Sequence, residues 1–126
     1  MIPIKQEIIQ KFIKAYNTFN IDSMLVLLHP EIQFKNISGG KLNTQSSGKL
    51  EFEKLARQSA ALFKEREQKI ISYKESGNKV NLEIQYHAVL AADLPNSLKI
   101  GDKIDITGKS EYVFKNGLIY SITDES

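Results

Sequence analysis

The chain has 126 residues, 41% of them hydrophobic, which is enough for one domain with a true core and room for a small pocket. It contains no cysteine and two histidines, so disulfides, thiolate nucleophiles and cysteine-ligated zinc or iron–sulfur sites are excluded. The 17 basic and 15 acidic residues give a formal charge of +2, with lysines scattered among glutamates, and nucleic-acid binding is not expected.

The first segment, Met1 to Lys5, lacks the apolar core and small-residue cleavage site of a signal peptide. The longest apolar runs, Met24–Leu28 and Ala88–Ala92, fall far short of the roughly 20 residues of a membrane span. A cytoplasmic protein that does not cross a membrane is expected. From Ile4, apolar residues at 4, 8, 9, 12, 13, 16 and 19 form one stripe of an amphipathic helix, with Pro3 suited to its first turn. Asn20 or Asp22 can cap a second, short helix through Leu28, which Pro30 stops. Glu31–Ile37 alternates as a half-buried strand whose apolar face carries Ile32 and Phe34 and ends in Asn36. Ser38–Gly48, dense in glycine, serine and asparagine, reads as a loop or a frayed hairpin and as the most mobile segment. A third helix follows from Lys49 to about Phe63, capped by Ser47 or Gly48, with Leu50, Leu55, Leu62 and Phe63 inward.

Beyond that helix the period changes to two. Strands are expected over Gln68–Ser76, Val80–Leu90, Asp102–Phe114 and Leu118–Asp124, with turns at Ser76–Lys79 and Lys115–Gly117 and a break at Leu94–Ser97. Val80, Leu82, Ile84, Tyr86, Ala88 and Leu90 share one face of the second of these. The order predicts an α+β domain over residues 1–126, with three helices packed on a strongly curved antiparallel sheet. Such a sheet closing on helices leaves a cone whose wide end can open to a ligand.

The segment Phe12–Phe34, together with Gly101–Lys109, Tyr112–Ile119 and Asp124, resembles the nuclear transport factor 2-like superfamily, and its SnoaL-like polyketide cyclase branch in particular. The resemblance implies a cone-shaped fold shared by isomerases, cyclases, dehydratases, carriers and association domains. The steroid isomerase branch implies a tyrosine on the first helix, an aspartate base after the first strand and a protonated aspartate on a late strand. The matching positions hold Phe12, Asn36 and Ser110, which offer no phenol and no carboxyl, so that mechanism is not expected. The cyclase branch implies an aspartate acid and base near the pocket, and Asp124 is the one carboxylate to nominate.

Strand alternation sets Asp124 on a face with Leu118, Tyr120 and Ile122, where burial would raise its carboxyl into a usable range. The alternative is a hydrated side chain two residues from the end of the sequence. Phe12, Tyr16, Phe34, Tyr86 and Tyr112, with Asn36 and Ser110, have the composition of a mostly apolar ligand site, although each aromatic also reads as ordinary core. His29, before Pro30, reads as a helix-end cap, and His87 projects onto the outer sheet face. Neither has a partner at metal-ligand spacing, and no phosphate loop or serine elbow occurs, so no metal and no cofactor are expected. The expected partners are a small apolar or aromatic molecule and a second copy of the chain, docked through the face around Gln85, His87 and Val89. A proton-transfer enzyme, a carrier without chemistry and an association module remain in competition.

Overall fold

The computed structural model describes residues 4–95 and 97–126; Pro3 of the expected first turn and Asn96 of the strand break lie outside the described residues. The elements are α1 (Ile4–Asn17), α2 (Ile21–Leu25), β1 (Leu28–Ser38), β2 (Lys41–Ser47), α3 (Lys49–Ala60), β3 (Phe63–Ser76), β4 (Lys79–Leu90), β5 (Lys103–Lys115) and β6 (Leu118–Glu125). Six strands form one curved sheet in the order β2-β1-β6-β5-β4-β3, and the helices pack on one face of it. This is the expected α+β arrangement, with one refinement. β1 and β6 run parallel while the other four neighbouring pairs are antiparallel. A hairpin cannot join parallel strands, and here everything from β2 to β5 intervenes between β1 and β6 in the sequence.

The core forms where α1 meets the sheet. Ile9, Phe12, Ile13 and Ala15 are buried, whereas Ile4 is 75% exposed, so the apolar stripe starts a turn later than its spacing indicates. Asn20 caps α2 by accepting from the Ser23 N–H at 3.1 Å. That helix ends at Leu25 rather than Leu28, because His29 and Pro30 already belong to β1. The proline ring fixes φ near the extended range and favours strand geometry before it.

The glycine-rich segment is an ordered hairpin. Gly39 and Gly40 adopt φ of 59° and 79°, and β2 pairs with β1 from Ser38–Lys41 to Gln33–Ser47. Its largely exposed polar residues suit an edge strand. At α3 the Glu51 carboxylate accepts from the Ser47 N–H at 3.0 Å. The helix presents Phe52, Leu55, Ala56 and Ser59 inward at i, i+3, i+4, i+7 spacing, while Leu50 is 82% exposed. The expected inward placement of Leu50 is therefore wrong by about half a turn, and Phe63 opens β3 instead of closing the helix.

The four-strand meander has the expected limits to within a few residues, except that β3 begins at Phe63 rather than Gln68. Between β5 and β6 the register slips: Val113 faces Ser121, but Phe114 faces Ile119. Tyr120 is the extra residue of a β-bulge, so the inner face changes parity there. Ile119 and Ile122 are both buried, and Tyr120 instead meets the His29 ring edge-on at 5.3 Å.

Candidate functional site

Between the inner sheet face and the helices lies a cavity of about 470 Å³. Phe12 from α1, Phe34 from β1 and Phe52 from α3 form one wall, with ring centroids 5.7 Å apart for Phe34–Phe52 and 6.4 Å for Phe12–Phe52. Tyr112 from β5 is buried beside them, edge-on to Phe12 at 6.0 Å. Polar groups interrupt this lining at Asn36, Arg66, Gln68 and Asp124. A second cavity of about 240 Å³ adjoins it, with walls that include Tyr86 and Ser110 and that share Tyr16, Asn36 and Asp124 with the first. All eight residues singled out in the sequence thus line one cavity or both.

Strand register explains why Asn36, Ser110 and Asp124 meet. On the parallel side Asn36 faces Asp124, and on the antiparallel side Ser110 faces it, which sets the three in a row across β1-β6-β5. The Ser110 hydroxyl donates to Asp124 Oδ1 at 2.7 Å. Burial disfavours the charged carboxylate and outweighs the Ser110 bond, which stabilises it, so the Asp124 carboxyl is pushed from 3.8 up to about 6. The face with Leu118 and Tyr120 expected for Asp124 is corrected by the bulge; only Ile122 remains with it. Nor is its end of β6 frayed. Gly39 N–H donates to Ser126 O, and Ser126 N–H donates to Ile37 O, both at 3.0 Å.

Opposite this row, the Tyr16 and Tyr86 hydroxyls lie 3.0 Å apart. Burial raises both phenols above their ordinary value, with the Tyr86 contact and Arg66 partly offsetting it at Tyr16. Both therefore stay protonated at neutral pH. Two hydroxyls sharing one hydrogen bond retain one further O–H, free to donate to a guest. Burial also raises Tyr112 well above its ordinary value, with the Asp124 charge adding to the effect.

The histidines stand away from the cavities. His29 is in β1 and its Nδ1 accepts from the Glu31 N–H at 3.0 Å, which corrects the expected helix-end role. His87 lies 3.3 Å from Asp105 and 3.9 Å from Glu65 on the outer sheet face. Among the described residues no three histidine or acidic side chains are grouped to hold a metal ion, and no helix is long and apolar enough to cross a membrane.

Several lining residues are not singled out by the sequence, Phe52 and Arg66 foremost among them. Phe52 was hidden by the choice of Leu50 as the inward phase of α3. Arg66, only 4% exposed, sits on the inner face of β3 with Gln68 and Ile70, and that parity was available had the strand been started at Phe63.

No protein-family model matches the sequence, and no curated protein matches it. Solved structures do. A proposed polyketide cyclase from Xanthomonas campestris pv. campestris superposes with a TM-score of 0.84 at 17% identity, over 98% of this chain and 90% of that one. A proposed SnoaL-like polyketide cyclase from Shewanella putrefaciens gives 0.80 at 15% identity, over 99% and 90%. A protein with a ketosteroid isomerase-like fold from Catenulispora acidiphila, in complex with trimethylamine, gives 0.77 at 14% identity, over 94% and 83%. The fold is therefore that of the SnoaL-like, nuclear transport factor 2-like proteins.

Proposed function

We propose that residues 1–126 form one SnoaL-like domain that binds a small, largely apolar or aromatic molecule and moves a proton on it with Asp124. The observation that carries this reading is the position of Asp124, on a wall common to both cavities and held by Ser110 at 2.7 Å. With a carboxyl pushed up to about 6, most of the group is a base at pH 7, yet its conjugate acid returns the proton readily. In an isomerase, cyclase or dehydratase reaction, Asp124 would take a proton from carbon next to a carbonyl. The C–H electron pair would pass into the enolate, whose oxygen would be met by the free O–H of the Tyr16–Tyr86 pair. Asp124 would then return the proton: to another carbon in an isomerisation, to the alkoxide left when the enolate carbon bonds to a second carbonyl in a cyclisation, or to a β-hydroxyl leaving as water as the C=C bond forms in a dehydration. A protein of the same fold is known in complex with a small molecule, trimethylamine, which supports small-molecule binding by this fold.

The test is Asp124→Asn, which keeps the shape and the Ser110 contact. Turnover of an identified substrate should fall by about 10²–10⁴ while binding persists; full turnover would eliminate Asp124 as the proton carrier. A carrier without chemistry is the second reading, favoured by Phe12, Asn36 and Ser110 standing where the isomerase branch has its acids. It requires that native mass spectrometry recover the bound compound unchanged after incubation. Pairing of two copies through the outer face around Gln85, His87 and Val89 belongs to the same proposal, and a monomer by sedimentation at high concentration would remove it.

A further inference from the structure

Arg66 is a buried cation with no anion. It is 4% exposed, and among the described residues no carboxylate lies within ion-pair distance of it. Among the described residues it forms no ion pair with Asp124. The two residues sit on β3 and β6, three strands apart and on the order of 14 Å along the sheet at about 4.8 Å per strand.

The side chain is rigidly held. Its Nε donates to Tyr16 O at 2.8 Å, in the last turn of α1, and its Cζ stacks 3.7 Å from the Tyr16 ring centroid and 4.5 Å from that of Phe19. The neighbouring Asn17 fixes the same junction, donating to Gln68 O at 3.2 Å and accepting from the Gln68 N–H at 2.8 Å. These contacts account for one of the five guanidinium N–H donors and for part of the charge. Among the described residues Nη2 is buried without a hydrogen-bond partner, and so is Oε1 of Gln68, two residues along the same inner face. Both side chains line the larger cavity. A buried charge with no ionic partner and an unpaired donor is costly, and the helix-end contact alone would be met equally well by a neutral donor.

Resting on the binding role proposed for the cavity, we infer that its ligand is an aromatic or alicyclic acid, a carboxylate or comparably acidic enol or phenol, whose anionic oxygen meets the Arg66 guanidinium. The apolar body then lies against Phe12, Phe34 and Phe52, between Arg66 on one side and Asp124 on the other. Gln68, two residues along the same inner face, lines the cavity beside Arg66. The polarity is fixed by the scaffold: the acidic end lies under the end of α1, and the carbon that exchanges a proton lies over β6.

Matched acid and amide pairs test this on the intact chain: benzoate with benzamide, and 2-naphthoate with 2-naphthamide, titrated calorimetrically at pH 7.5. The acid of a pair should bind at least about tenfold more tightly than its amide, as expected for a charge-assisted bond in a dry site. In Arg66→Gln that preference should vanish, whereas a purely structural role for Arg66 would weaken acid and amide together and leave their ratio intact. Arg66→Lys, which retains the charge, should keep part of the preference and serves if the glutamine variant does not fold. Equal affinity of acid and amide for the unaltered chain would overturn this inference and leave the cavity reading standing. No binding by either member of either pair up to millimolar concentration would remove both.

Discussion

Asp124 illustrates how much one side chain depends on its neighbours across the sheet. Its carboxyl is held up to about 6 by burial, so the folded state keeps the proton longer than the unfolded chain, whose value is near 3.8. Between those values the folded state binds more protons, and stability falls as pH rises through about 4 to 6. The contribution is fully present below pH 4 and absent above about 6. Asp124→Asn should abolish this slope and leave the variant more stable than the parent at pH 7 by roughly 2–3 kcal/mol, with the two nearly equal at pH 4. Urea unfolding at a series of pH values checks it, and parallel curves for parent and variant would contradict it. Ser110→Ala supplies the opposite lever. Loss of the 2.7 Å bond removes the one contact that favours the carboxylate, so the Asp124 midpoint should climb above 6 in a carboxyl NMR titration. Asp124 is nominated by the resemblance to the cyclase branch, and alternation places it correctly only with respect to Ile122. Its companions were misjudged because a bulge at Tyr120 leaves no mark in periodicity. Arg66 was missed for a related reason: the inner-face parity of Arg66, Gln68 and Ile70 emerges only once β3 is known to start at Phe63.

At the scale of elements, turns and caps were the most legible features. Asn116 and Gly117 both take positive φ, 55° and 77°, the pair of left-handed residues that a tight hairpin of this twist requires. Helix phase was less secure. Four inward positions on α3 are shared among Phe52, Leu55, Ala56 and Ser59, and only two are strongly apolar because this face lines a cavity instead of filling the core. Gly108 on β5 was not singled out at all, although it sets how closely β6 approaches. A Cβ at this position would stand 2.8 Å from the backbone oxygen of Glu125, the residue after Asp124. Backbone cannot swing aside as a side-chain tip can, so Gly108→Ala should push the end of β6 outward and cost about 1–3 kcal/mol. The urea midpoint should fall, and the Asp124 titration should move back toward an ordinary carboxylate value as water reaches it. An unchanged midpoint together with an unchanged titration would show that the sheet absorbs the methyl group and that the close approach is not needed to bury Asp124.

Across the whole molecule, the strand made last occupies a central place. β6 lies between β1 and β5, so the sheet is completed only when the end of the described chain inserts between its first strand and the meander. Alternation could predict each strand and its inner face, but not this neighbour or its parallel direction, because a period-two pattern contains no information about which strand lies alongside. The consequence for the site is direct. Asn36 reaches Asp124 through the β1–β6 pair and Ser110 reaches it through the β5–β6 pair, so the polar row and the fold are completed in the same step. Deleting Leu118–Ser126 would remove Ile119 and Ile122 from the core and split the sheet into β2-β1 and β5-β4-β3. Each remnant would expose a long unpaired edge and one apolar face. The truncated chain is therefore expected to lose cooperative unfolding altogether, with collapsed amide dispersion in a ¹H–¹⁵N spectrum and a tendency to aggregate, rather than to fold with a modestly lower midpoint. A cooperative transition in the truncated chain would mean that the helices and the β3-β4-β5 meander form a self-sufficient core, and that β6 serves the site without holding the fold together.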